Sequence, residues 1–236
     1  MNIDDLYSSR IQKTFDEDHS EIFSILKANP RKVLKLISYY KGLPLSYPAT
    51  ITSIDRGAVD LDVQAEQAFT IEQSRAVFIR SPLFRLDVLA QVQYVNIRKQ
   101  AASFVKFSYV EIMAERRSFI RMRPDPSPEV EIETVTETLE GNLFDVSLSG
   151  LNVSVNHFCP LEPATELSVS FVIGSKDLNH DFKVCTPARL IAIEGDAAPY
   201  SYKFSICPDK LLERHLSQYI FQRQIEIIKE IKDAAR

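Results

Sequence analysis

The 236-residue chain has no tryptophan, three cysteines, six glycines and no apolar run long enough to cross a bilayer. Each shortage excludes something. Cys159, Cys185 and Cys207 are odd in number and widely spaced, with no C-x-x-C and no histidine pair at zinc-finger spacing, so neither a disulfide framework nor a zinc site is expected. They read as buried, unreactive thiols. Positive charge is not in excess: a net charge of -4 and a pI of 5.7 give no general pull toward nucleic acid or an anionic membrane. Glycine-rich phosphate loops and nucleophile elbows are missing. His19, His157, His180 and His215 lie in no catalytic pattern, and structural or surface roles are expected for them. No catalytic residue, metal or cofactor is predicted. Met1-Asn2-Ile3-Asp4-Asp5 has neither the basic nor the apolar region of a signal peptide, so a cytoplasmic location is expected.

What is present is ordinary globular material, 45% hydrophobic and 25% charged, long enough for two small domains that each bury a core. Residues 1–44 read as helical. Ser20 is placed as the cap of a first helix carrying Ile22, Phe23, Ile25 and Leu26, and Asn29-Pro30 as the start of a second carrying Val33, Leu34, Leu36, Ile37 and Tyr40. Residues 45–113 change to short β-branched or alternating runs, predicted as six antiparallel strands at 49–54, 58–63, 68–71, 76–79, 86–96 and 102–112. Turns are expected at Asp55-Arg56-Gly57 and Arg98-Lys99-Gln100. Residues 114–123 form an arginine-rich linker. A second β series fills residues 124–236, with runs at 130–138, 143–155, 166–173, 182–194 and 200–207. Alternation places Glu131, Glu133, Glu137 and Glu140 on an outward strand face rather than in a carboxylate site. Asp209 caps a final helix reaching Ala234, whose later Ile225, Ile227, Ile228 and Ile231 either pack on the barrel or form the seam of a homodimer. The predicted class is mainly β: two small antiparallel barrels with N-terminal helices and a C-terminal helix.

Two short patterns carry chemistry. Arg116, Arg117, Arg121 and Arg123 stand within eight residues. Arginine offers planar, permanently charged donors that grip phosphate oxygens, pair with the O6/N7 edge of guanine or stack on a base. Four in so short a span suit a small polyanion, not the long basic face that duplex DNA needs. The second pattern, Asp145-Val146-Ser147-Leu148-Ser149-Gly150, supplies what arginine lacks. Asp145 can accept from guanine N1–H and its amino group, the Ser147 hydroxyl can donate or accept, and Gly150 lets backbone turn or approach closely.

Arg117 and Arg121 followed by Asp145, Ser147 and Gly150 resemble the PilZ family of cyclic di-GMP receptors, whose signature is R-x-x-x-R and then [D/N]-x-S-x-x-G. The resemblance covers about residues 114 to 236. The Tyr202-Lys203-Phe204 segment is similar to the last strand of that barrel but lacks the glycine often found there. The family implies a PilZ-like C-terminal barrel and a ligand, cyclic di-GMP, held by Arg116, Arg117, Arg121, Asp145, Ser147 and Gly150. Arg116, just before R-x-x-x-R, implies a stacked pair of ligand molecules rather than a single one. The two-barrel order is similar to the flagellar-brake branch, which implies a split-barrel-like, partner-facing N-terminal domain reoriented by ligand and a partner such as a flagellar motor component. A PilZ-fold interaction protein that has lost its ligand, a nucleotide-acting enzyme and, against the acidic pI, a nucleic-acid-binding β-barrel are the rival readings.

Overall fold

In the computed structural model, residues 6–174 and 181–236 are described; Met1–Asp5 and His180, used above, lie outside them. The chain divides into two compact units, one of residues 1–118 with 227–236 and one of residues 119–226.

The first unit is built on a closed barrel. Its strands are β2 (Val33–Tyr40), β3 (Leu43–Asp55), β4 (Ala58–Asp62), β5 (Ala76–Arg80), β6 (Asp87–Asn96) and β7 (Ala101–Ile112), in the order β7-β4-β3-β2-β5-β6, with β6 returning to β7. Strand β1 (Tyr7–Ser9) extends the far end of β7, Tyr7 opposite Ile112. Leu34, Leu36, Ile51, Leu61, Val77, Val88, Phe104 and Phe107 are almost fully buried inside, together with Ile22 and Leu26 of helix α1 (Phe15–Ala28) and Ile71 of helix α2 (Ala65–Ser74).

Two elements exchange roles relative to the sequence reading. The second predicted helix is strand β2. Arg31 takes a left-handed φ of 60° after Pro30, so this stretch is a turn rather than a helix start, and Leu34 and Leu36 then alternate inward. The predicted strand 68–71 is instead part of α2, where Gln67, Ala68, Thr70 and Ile71 share a buried face at helical spacing and Arg75 closes the helix in the left-handed region, φ 58°. The six-strand count survives because one segment replaces the other. Helix α1 also begins earlier than Ser20. Thr14 is its cap, with Oγ1 accepting from the Glu17 amide at 3.2 Å and donating to the Glu17 carboxylate at 2.8 Å. Both expected turns form, with positive φ at Arg56, Gly57 and Gln100.

The second unit is a closed six-stranded antiparallel barrel in the order β10-β13-β12-β11-β8-β9. Its strands are β8 (Glu129–Glu133), β9 (Thr138–Val146), β10 (Gly150–Val155), β11 (Glu166–Ile173), β12 (Phe182–Glu194) and β13 (Tyr200–Ile206). Two predicted runs divide: 130–138 becomes β8, a turn over 134–137 and the start of β9, and 143–155 becomes β9 and β10 with a turn between them. Val130, Ile132, Val153, Val155, Val169, Tyr202 and Phe204 point inward, and the four glutamates of 131–140 are exposed, Glu137 on the turn rather than on a strand face. Helix α3 (Lys210–Ala234) follows, with Asp209 Oδ1 accepting from the Leu212 amide at 2.8 Å. Ile227 and Ile231 are buried, whereas Ile225 and Ile228 stay exposed. The cysteine expectation holds only for Cys159; Cys185 and Cys207 are exposed, Cys185 because its inward neighbours on β12 are Val184 and Thr186. Among the described residues no helix is long and apolar enough to cross a membrane, and no three His, Cys, Asp or Glu side chains converge as a metal site.

Candidate functional site

The β9–β10 hairpin is the scaffold of the second pattern. Its register runs Val146 opposite Leu151, Asp145 opposite Asn152 and then Leu143 opposite Val153, which leaves Phe144 as an extra residue in β9. This is a β-bulge. Leu143 and Val146 are both fully buried though three apart, a spacing that would send them to opposite faces of a regular strand. The extra residue lets both point inward and leaves Phe144 and Asp145 side by side on the outer surface, each half-buried.

Beyond Val146 the chain turns. The Ser147 amide donates to the Gly150 carbonyl at 2.9 Å, its hydroxyl donates to the same oxygen at 3.2 Å, and the Ser149 amide reaches that hydroxyl at 3.4 Å. Gly150 then enters β10 opposite Ser205. A Cβ at this position would stand 2.9 Å from the Phe204 carbonyl oxygen, so close strand packing requires the glycine. Ser147 is 3% exposed and belongs as much to the turn as to the surface.

Arg121 reaches this hairpin through backbone pairing. Met122 and Val146 exchange hydrogen bonds at 2.9 and 3.0 Å in an isolated antiparallel bridge, and both side chains are fully buried. Antiparallel register sets Arg121 beside Ser147 and Arg123 beside Asp145, with both arginines on the face opposite Met122. The Arg123 guanidinium lies 4.2 Å from the centre of the Phe144 ring, a cation–π contact seated on the bulged residue. Its carbonyl accepts from Nε of the buried Arg223 at 3.2 Å, and Arg223 also pairs with Glu226 at 2.7 Å and Asp125 at 3.2 Å. The second unit thus brings Arg121, Asp145, Ser147 and Gly150 into one neighbourhood, and adds Arg123 and Phe144.

Arg116 and Arg117 belong to the first unit. Arg116 ends a single 3-10 turn, Met113–Arg116, and donates to Glu111 at 3.4 Å. Glu111 also takes both donors of Arg10, whose hydrogen bonding holds its carboxyl below the usual carboxylate range. Arg117 is half-buried and extended, its amide donating to the Ala114 carbonyl at 3.4 Å. Its charge acts on the Tyr39 hydroxyl, which burial, and then Glu115, push up to about 12. The sequence reading missed Phe144 and Asn152 as members of the neighbourhood. Register across β9 and β10 reveals them, and no motif marks it.

Residues 115–222 match the family model of the PilZ domain. Among solved structures, the chain is similar to YcgR of Escherichia coli in complex with c-di-GMP, at 18% identity and a TM-score of 0.43 over the full length of both chains. The Bacillus subtilis inhibitor of motility, MotI/DgrA, gives 12% identity and a TM-score of 0.43 over 84% of this chain and 98% of that one. The K. pneumonia MrkH–c-di-GMP complex gives 10% identity and 0.41 over 94% and 100%. Among curated proteins none matches.

Proposed function

We propose that this chain, in which residues 115–222 form a PilZ domain, is a cytoplasmic receptor for cyclic di-GMP that works by binding and not by catalysis. The observation that carries this reading is the outward face of the second unit, where Arg121 and Arg123 flank a hairpin that presents Asp145 beside the turn held by Ser147. Cationic forks beside a carboxylate suit a ligand that is anionic at its phosphates and a hydrogen-bond donor at its base edge. Phosphate alone would be repelled by Asp145, and a base alone would not need the arginines.

In this reading Arg117 and Arg121 hold phosphate or the guanine O6/N7 edge, and Asp145 accepts from guanine N1–H and N2–H. Arg116 lies against the base of a second ligand molecule, giving a stacked pair per chain. The chain passes from the first unit to the second between Ser118 and Phe119, inside the R-x-x-x-R motif. A ligand held by both motif arginines therefore couples to the relative orientation of the units, and its differential affinity for one arrangement is the signal read by a protein partner such as a motor component. Small-angle scattering with and without ligand reports that change.

Calorimetric titration of variants tests the roles. Arg121→Ala should weaken cyclic di-GMP binding by about 2 kcal/mol, the loss of a charge-assisted contact. Asp145→Ala should erode the preference for cyclic di-GMP over cyclic di-AMP more than it erodes affinity for phosphate. Unchanged affinity in Arg121→Ala, or equal losses for both dinucleotides in Asp145→Ala, would contradict these assignments.

A further inference from the structure

We propose that Asn152 is a positioning residue that fixes the plane of the Asp145 carboxylate and thereby sets the preference for guanine over adenine. This rests on the receptor reading above. Asn152 is directly opposite Asp145 in the β9–β10 register and is 8% exposed, so its amide must find partners within the protein. It has two, on different strands. Ser201 of β13 donates from Oγ to Asn152 Oδ1 at 2.7 Å. Because a carboxylate only accepts, the end of the amide that faces Asp145 is Nδ2, 3.4 Å from Oδ2, and the carbonyl end is left to the Ser201 hydroxyl.

The relay Ser201–Asn152–Asp145 therefore crosses three neighbouring strands and ends on the one carboxylate of the motif. Its position relative to the bulge is what gives it work to do. The extra residue Phe144 brings Asp145 onto the outer surface, half-buried, with its carboxylate beside Asn152. A donor held from behind narrows the range of planes that the carboxylate can take.

Orientation matters because guanine presents two adjacent donors, N1–H and N2–H, to a carboxylate lying in the base plane. Adenine presents an acceptor at N1 and no amino group at C2. A carboxylate locked in plane gains two contacts with guanine and faces a repulsive lone pair with adenine, whereas a rotating one loses much of that contrast. Asn152 need not touch the ligand to act this way.

The test uses the full chain, titrated with cyclic di-GMP and with cyclic di-AMP. Asn152→Ala should lower cyclic di-GMP affinity about tenfold while leaving cyclic di-AMP affinity unchanged, and Ser201→Ala should act in the same direction by about threefold. A purely structural role would lower melting temperature without moving the ratio of the two affinities. Equal losses for both dinucleotides, or an unchanged ratio in both variants, overturns the proposal. If Asn152→Ala fails to fold, as circular dichroism would show, the ratio in Ser201→Ala decides alone. A wild type with no affinity for cyclic di-GMP removes the receptor reading and this one together, and is told apart from the other outcomes by the wild-type titration.

Discussion

At position 150 the missing side chain answers to a single oxygen atom. The Phe204 carbonyl would lie 2.9 Å from any Cβ there, and it is backbone in a barrel strand, unable to step aside as a flexible side chain could. Gly150→Ala should therefore cost about 1–3 kcal/mol, seen as a lower urea midpoint with an unchanged slope, and an unchanged midpoint would show that the strands can part. The same residue is a signature glycine of the sequence pattern, so its presence was legible while its reason was not. For Asp145 the motif supplied the chemistry, but its outward aim depends on a bulge that no local pattern announces. Leu143 and Val146 read as strand residues of opposite facing until the pairing with β10 shows that both point inward.

Single elements show where local reasoning holds and where tertiary context overrides it. Strands β3, β4, β5, β6 and β7 were legible from alternation and from the turn residues between them. β2 and α2 were not, because short apolar runs carry both periods at once. In β2 the deciding feature is the left-handed Arg31 that turns the chain after Pro30; in α2 it is a buried polar face in which Gln67 donates to Ser38 at 2.9 Å and Ser38 meets Thr70 at 2.7 Å. The start of α1 was readable and overlooked: Thr14-Phe15-Asp16-Glu17 is a capping box, with Asp16, Glu17 and Asp18 in the first turn. Thr14→Ala should cost about 1 kcal/mol, measured as a shift in the thermal transition of the full chain, and no shift would mean that the buried Asp18, accepting from the Gln12 amide at 2.7 Å, anchors this end unaided.

Across the whole molecule, tyrosines link stability to alkaline pH, and Tyr47 and Tyr202 too have hydroxyls raised by burial. Tyr39, Tyr109 and Tyr219 each have a hydroxyl pushed up to about 12, chiefly by burial. Because the folded pKa lies above the unfolded value of about 10, their contribution is complete below pH 10 and is lost as pH rises toward and through 12. Urea midpoints should fall over that window, and a flat profile from pH 9 to 11.5 would contradict the burial of these hydroxyls. The chain passes between the two units within the arginine motif, between Ser118 and Phe119, and again between Glu226 and Ile227 inside α3. The arginine-rich composition of 114–123 marks the first crossing, whereas no break in the periodicity of α3 marks the second. Calorimetric titration of the wild-type chain with cyclic di-GMP tests the receptor reading most directly. Saturation is expected at two ligand molecules per chain, with the ratio falling toward one when Arg116 is replaced by leucine. No heat at high micromolar ligand would contradict the receptor reading, and saturation of the wild type at a single molecule would contradict the stacked pair.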